Sequence, residues 1–138
     1  MRLGAAEARR RFGLARSARL ATVSAGGQPH LVPVTFVAAG DVIYTAVDAK
    51  PKSTRDLRRL ANVRANPAVC LLADHYADDW RALWWARADG TATILGEPAQ
   101  MAPPLSLLAA RYPQYAADPP EGPVIAILVT RWTGWSAT

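Results

Sequence analysis

Two lysines, Lys50 and Lys52, stand immediately before a predicted helix, and they are the only lysines among the 138 residues of the chain. Ser53 and Asp56 have the spacing of a capping box, which predicts that the helix begins near residue 53. The first N–H groups of a helix lack internal partners, and the helix dipole places about half a positive charge there. Two ammonium groups beside such a helix start predict a binding site for an anionic group.

The helix that follows is predicted to end at Asn66-Pro67, a pair that stops helices. At 100° per residue, one of its faces is polar and holds Arg55, Arg58, Arg59 and Asn62. The opposite face holds Leu57, Leu60 and Ala61. We expect the apolar face to pack on the protein and the basic face to point outward or into a cleft. The simpler alternative is that Arg58 and Arg59 belong to an ordinary solvent-exposed face and bind no ligand.

Positive charge is concentrated in two segments of the chain. Residues 1–19 hold six arginines against one glutamate, and residues 50–64 hold six basic residues against one aspartate. Two basic regions on a small domain predict an anionic partner, either a phosphorylated cofactor or a nucleic acid. For residues 1–19, a contribution to solubility alone is the simpler interpretation.

Length and composition exclude several classes of protein. With 51% apolar and 20% charged residues, the chain is expected to fold as one domain over residues 1–138. No apolar stretch reaches the roughly 18 residues of a spanning helix, and the first residues do not resemble a secretory signal. The single cysteine, Cys70, cannot form an internal disulfide, so a cytoplasmic protein with no membrane partner is expected. Zinc-binding and serine-hydrolase motifs are absent from the sequence, so no metal site is expected.

Alternation of apolar and polar residues predicts a mainly β (α+β) protein, an antiparallel six-stranded barrel with two or three helices. The strands are predicted within residues 20–23, 29–37, 42–47, 69–73, 80–95 and 124–129. The helices are predicted over residues 5–16, 53–65 and 103–112, the last beginning at two prolines. Pro33 should lie at a sheet edge, a bulge or a ligand, and Gly90 at a bend or bulge. Trp84 and Trp85 must point to opposite faces of their strand.

Several blocks of sequence, taken in order, resemble a known family. The blocks are RLATV (19–23), GQPHLVPV (27–34), IYTAVDAKPK (43–52), LRRLAN (57–62), NP (66–67), DHY (74–76), DDW (78–80), LWW (83–85) and GW (134–135). Their order and spacing resemble the pyridoxamine-phosphate-oxidase-like split β-barrels, in the subgroup that uses the deazaflavin coenzyme F420. The resemblance covers roughly residues 12–136.

The resemblance implies a split β-barrel of the flavin-reductase or FMN-binding type and a homodimer with two cofactor sites at the subunit interface. It further implies that Lys50 and Lys52 bind the phosphate of the cofactor, with Ser53, Thr54 and Arg55 close by. The implied contacts with the ring system are Val32, Pro33 and Val34 of one strand and Thr45, Ala46 and Val47 of the next.

The cofactor expected on this resemblance is F420 rather than FMN. Flavin-binding oxidases of the family usually show an Arg-Lys pair after the third strand, where this chain has Lys-Pro-Lys. F420 also carries a tail of glutamates, which needs more cations than one phosphate, and the face with Arg55, Arg58 and Arg59 could supply them.

The resulting hypothesis is an F420-dependent oxidoreductase that transfers a hydride between the deazaflavin and an unidentified small organic substrate. A side chain that gives a proton is optional, and His30 and Tyr44 are the first candidates, followed by His75 and Tyr76. The alternative is a non-catalytic carrier or sensor that binds F420, FMN or haem. A nucleic-acid-binding barrel is a third interpretation, and the leading hypothesis expects no nucleic acid partner.

Overall fold

A computed structural model describes residues 1–47 and 54–138, and of residues 54–57 it describes the backbone alone. The described strands are β1 (Ala18–Val23), β2 (Pro29–Val34), β3 (Val37–Ala39), β4 (Val42–Ala46), β5 (Ala68–His75), β6 (Trp84–Leu95) and β7 (Val124–Ser136). The helices are α1 (Ala5–Leu14), α2 (Thr54–Ala65), α3 (Pro98–Arg111) and α4 (Pro113–Ala117), with a 3-10 turn over Trp80–Ala82.

All seven strands belong to one antiparallel sheet in the order β2-β1-β5-β6-β7-β4-β3. Among the described residues β2 pairs only with β1, and β3 only with β4, so the sheet curls without closing between its two ends. This confirms the predicted mainly β (α+β) split barrel. Pro33 lies on the edge strand β2, where its missing N–H leaves no gap in a ladder.

The predicted number of six strands is wrong, because the expected strand over residues 29–37 is divided in two. The chain turns at Thr35 and Phe36, so that β2 ends at Val34 and β3 begins at Val37 on the opposite side of the opening. Phe36 is fully buried at this turn, and its N–H donates to the hydroxyl of Tyr112 at 3.2 Å. A contact between residues 76 positions apart thus ends the strand, and local alternation could not reveal it.

The start predicted for α3 is also wrong, since the helix begins at Pro98 and contains Pro103 and Pro104. Glu97 and Gln100 form a capping box there, and Pro98 occupies the first turn, where a proline costs nothing. The two inner prolines leave the carbonyl groups four residues before them without a helical partner. The cap therefore determines where the helix begins, and the prolines lie within it.

One large core fills the barrel. Its fully buried large side chains are Phe12, Leu20, Phe36, Ile43, Leu71, Ile125 and Ile127. A smaller cluster joins α3 to the sheet through Ala46, Leu108, Tyr112 and Val124. The second cluster places α3 and α4 beside the open ends of the sheet.

The long pair β6–β7 carries a bulge between Asp89 and Gly90, as the glycine predicts. A side-chain carbon at Gly90 would lie 2.4 Å from the carbonyl oxygen of Leu128, so only glycine fits. Nearer the start of β6, Trp84 packs against the core, and Trp85 lies half-buried on the outer face of the sheet. The prediction that they point to opposite faces is confirmed.

Among the helices of the described residues, none combines the length and apolar composition that crossing a membrane requires.

Gly90→Ala should lower the free energy of unfolding by about 1–3 kcal/mol or more, because the new methyl group meets backbone that cannot move aside. Gly26→Ala is the matched control, since a side-chain carbon there meets nothing within 4 Å and the backbone is not left-handed. Urea denaturation of both variants measures the difference. Equal stabilities of the two variants would show that the bulge does not depend on glycine.

Candidate functional site

The opening between the two ends of the sheet contains a cavity of about 220 Å³. Its lining residues are Pro33, Val34, Thr35, Thr45, Ala46, Arg59 and Tyr115. They come from the end of β2, from β4, from α2 and from α4. The cavity therefore forms where four elements meet at the point at which the sheet fails to close.

Hydroxyl groups hold the two sides of this opening together. The hydroxyl of Thr45, on β4, donates to the backbone carbonyl of Thr35 at 2.7 Å. The hydroxyl of Thr35 lies 2.7 Å from that of Tyr115, with either oxygen as donor. Thr45 itself is buried, and the bond is partly buried at the wall of the cavity. The result is a polar wall whose geometry is set by the protein.

Tyr112 anchors the helical wall of the cavity to the turn after β2. Its hydroxyl accepts from the N–H of Phe36 and shares its own hydrogen between the carbonyls of Phe36 (2.9 Å) and Arg16 (3.0 Å).

Arg111 makes a second set of contacts, which join α3 to the turn at Phe36 and to the end of α1. Its guanidinium lies 4.9 Å from the ring centre of Phe36 and donates to the carbonyl groups of Gly13 and Ala15. These contacts fix α3, and with it Tyr115 on α4.

The orientation predicted for α2 is wrong in part. Its buried side is formed by Arg59, Leu60, Asn62 and Val63. Ala61 is exposed, and so is Arg58. Val63 lies near the centre of the buried arc, and the amide of Asn62 donates to the buried hydroxyl of Thr22 at 3.0 Å. Burial of Val63 and a partner for Asn62 together rotate the helix, and this rotation carries Arg59 inward.

Arg59 thereby becomes the cation of the cavity, at 7% exposure. Among the described residues, those that line the cavity include no carboxylate. A guanidinium and several hydroxyl groups on one side, and the apolar surfaces of Pro33, Val34 and Ala46 on the other, suit a flat ligand with an anionic or carbonyl-bearing edge.

The structure brings four of the predicted ring-contacting residues to this cavity, namely Pro33, Val34, Thr45 and Ala46. It places Val32 and Val47 in the main core instead. Arg58 is exposed on the outer side of α2. The residues of the predicted phosphate site that lie outside the described part of the chain are Lys50, Lys52 and Ser53. Thr54 and Arg55 open α2, and of them the structure describes only the backbone.

Neither His30 nor Tyr44, the predicted proton donors, lines the cavity. Tyr44 packs with the α3 cluster, and His30 is half-buried opposite Thr22 in the β1–β2 pair. Sequence analysis missed Thr35 and Tyr115 as cavity residues. They lie 80 positions apart, and no local pattern could join them.

Within the described ranges, 1–47 and 54–138, no three histidine, cysteine or acidic side chains are grouped so that they could hold a metal ion. The polar groups that the described residues bring to the cavity are hydroxyl groups and the guanidinium of Arg59.

A family model described as pyridoxamine 5'-phosphate oxidase matches residues 5–136. No curated protein matches the sequence.

Solved structures with the same fold cover nearly the whole chain. A conserved hypothetical protein from Mycobacterium tuberculosis is 22% identical, with a TM-score of 0.78 over 98% of this chain and 86% of its own. An FAD-binding protein from Mesorhizobium loti is also 22% identical, with a TM-score of 0.74 and coverage of 97% and 95%. The haem storage protein from Vibrio cholerae is 15% identical, with a TM-score of 0.70 and coverage of 95% and 90%. At these identities the likeness shows the fold alone.

Tyr112→Phe and Tyr115→Phe form a matched pair that tests how the cavity wall is anchored. Tyr112→Phe should lower the free energy of unfolding by about 1–3 kcal/mol, because it leaves the buried N–H of Phe36 without its acceptor. Tyr115→Phe removes the hydroxyl that is hydrogen-bonded to Thr35 in a half-buried position. It should therefore lower the free energy of unfolding by about 1 kcal/mol or less. Urea denaturation of both variants gives the two values. A larger loss for Tyr115→Phe would contradict the assignment of Tyr112 as the anchor.

Proposed function

Because the chain belongs to the pyridoxamine 5'-phosphate oxidase family, we propose that it is an oxidoreductase that uses coenzyme F420 to reduce a small organic substrate. The observation that carries the proposal is the buried Arg59 in a cavity whose other walls are hydroxyl groups and flat apolar surface. Four residues that the family resemblance assigns to the cofactor rings line this same cavity.

The cavity residues fit the polar edge of a deazaflavin or flavin ring. That edge carries two carbonyl groups, which accept hydrogen bonds, and it becomes more negative when the ring is reduced. Arg59 would stabilise the negative charge, and Tyr115 and Thr35 present hydroxyl groups nearby. Val34 and Ala46 would pack against the ring and keep water from it.

When bound, the deazaflavin supplies the hydride, and the task of the protein is to hold the substrate at about 3–3.5 Å and to exclude water. Tyr115 replaces His30 and Tyr44 as the proposed proton donor, because Tyr115 lines the cavity and the other two residues do not. The substrate itself is proposed only as a small organic molecule.

A second copy of the chain is part of the proposal. At about 220 Å³, the cavity is smaller than the roughly 300–1,000 Å³ typical of sites for ligands of this size. A partner subunit would supply further walls. We therefore propose a homodimer with a cofactor site at each interface. A cytoplasmic location belongs to the same proposal.

F420 is proposed ahead of FMN because of the charge around the start of α2. Lys50 and Lys52 precede the helix, and Arg58 is exposed on it. A glutamate tail beyond the phosphate would find cations there, whereas FMN would leave them unused. Each exposed pair contributes only about 0–1 kcal/mol, so the tail would be bound by several of them together.

A non-catalytic binding protein is the second candidate. The observation that favours it is that an FAD-binding protein and a haem storage protein share this fold. Turnover separates the two functions: an enzyme oxidises reduced F420 in the presence of an unsaturated ketone or a quinone, and a carrier does not.

Titration with F420 tests the choice of cofactor. Oxidised F420 should show a saturable change in fluorescence at concentrations on the order of micromolar, and FMN, FAD and haem should bind more weakly under the same conditions. The double variant Lys50→Ala, Lys52→Ala should lose F420 binding while its melting temperature stays unchanged. Unaltered affinity in that variant would place the phosphate elsewhere, and tighter binding of FMN or FAD would overturn the choice of F420.

Arg59→Gln tests the cavity itself, with Arg64→Gln as the matched control on the exposed side of the same helix. Loss of a charged hydrogen bond to the ring edge should weaken F420 binding by about tenfold in the first variant, and the control should bind as the wild type does. Isothermal titration calorimetry measures both. Equal affinities would mean that the ring does not reach this cavity. Circular dichroism reports whether the buried substitution has altered the fold.

A further inference from the structure

A second recess lies on the outer face of the sheet, at the ends of β6 and β7 and beside the N-terminal residues. Its volume is about 360 Å³, and it shares no lining residue with the cavity at the opening of the sheet. Its walls include Trp85 on β6, and Arg131, Thr133 and Trp135 on β7. We refer to it as the tryptophan groove.

Strand register brings the two indoles together. Trp85 and Trp135 are directly paired in the β6–β7 ladder, so their side chains leave the sheet about 5 Å apart on the same face. Arg131 and Thr133 precede Trp135 at two-residue spacing, so all three point the same way. Both indoles are half-buried, which leaves ring surface open to a ligand.

The N-terminal residues supply the other wall and a second cation. The backbone of Arg2 forms an antiparallel β-bridge with that of Trp135, and the N–H of Leu3 donates to the carbonyl of Gly134 at 3.0 Å. The N–H of Ser136 donates to the carbonyl of Met1 at 2.9 Å. The segment thus lies along β7 as a short added strand, which holds the Arg2 backbone beside the indole.

The described residues give the groove a positive charge. Among them, the lining contains two arginines and no acidic side chain. In the part of the chain that the structure describes, neither Arg2 nor Arg131 has a carboxylate within 4 Å. Asp89 is the register partner of Arg131, but its carboxylate accepts from Arg87 at 2.6 Å.

We propose that the tryptophan groove binds a planar aromatic anion. The indoles offer a flat apolar surface for an aromatic ring, and Arg2 and Arg131 offer guanidinium groups to a carboxylate or phosphate on that ring. An aliphatic anion would lack the stacking contact, and a neutral aromatic would lack the charge-assisted hydrogen bonds. The proposal is independent of the cofactor proposed for the other cavity.

Calorimetric titration of the full chain tests this site with 2-naphthoate and 1-naphthyl phosphate as the probes, which also separates a carboxylate from a phosphate ligand. At least one of the two should bind saturably, and cyclohexanecarboxylate and 2-naphthamide should bind at least about tenfold more weakly. Arg2→Gln and Arg131→Gln should each weaken the better probe by about tenfold. Binding of the probe should quench tryptophan fluorescence, and Trp135→Leu should reduce this quenching, because one of the two indoles of the groove is then missing.

Arg81→Gln and Trp80→Leu are the controls, because both residues are exposed on the 3-10 turn and neither lines the groove. They should bind the probes as the wild type does. Affinity for F420 should be the same in wild type, Arg2→Gln and Arg131→Gln, which keeps this result separate from the cofactor site. Absence of binding at millimolar concentrations, equal binding of 2-naphthamide, or unchanged affinity in both arginine variants would overturn the proposal.

Discussion

The sheet ends at β2 and at β3 without closing, and a bond from the Thr45 hydroxyl, on β4 beside β3, to the Thr35 carbonyl spans the opening. A barrel closed by a full ladder would have no cavity there and no place for Arg59. Burying a guanidinium is unfavourable unless polar groups or an anion compensate it. Among the described residues, the opening presents hydroxyl groups together with Arg59, and the proposed cofactor would bring its polar edge to them. The cavity, and with it the proposed cofactor chemistry, depends on this interrupted closure.

The helices keep the opening at a fixed width. Tyr112 and Arg111 bind α3 to the turn at Phe36 and to the end of α1, and α4 follows directly from α3. On the other side, α2 is held by Val63 in the core and by the bond from Asn62 to Thr22. The two helical walls are thus attached to opposite ends of the sheet. A ligand between them would contact walls of this subunit that are formed before it arrives, which reduces the entropy that binding would cost.

Much of this architecture follows from local patterns, and the rest depends on contacts between distant residues. Alternation along β1, β4 and β7 and the bulge at Gly90 are visible in the sequence because period and residue type decide them locally. The break after Val34 is not visible, since it depends on Tyr112. The inward position of Arg59 is not visible either. Helical periodicity gives only the angles between side chains of α2, whereas the packing of Val63 decides which side of the helix faces the core. Pro103 and Pro104 give the wrong start for α3, because the capping box at Glu97 begins the helix five residues before the first of these prolines is reached.

The most direct measurement of the central claim is a crystal structure of the protein bound to F420. We expect the deazaflavin ring between β2 and β4, with its carbonyl edge toward Arg59 and its phosphate toward Lys50 and Lys52. A ring bound anywhere else, with Arg59 bonded only to groups of the protein, would contradict the claim.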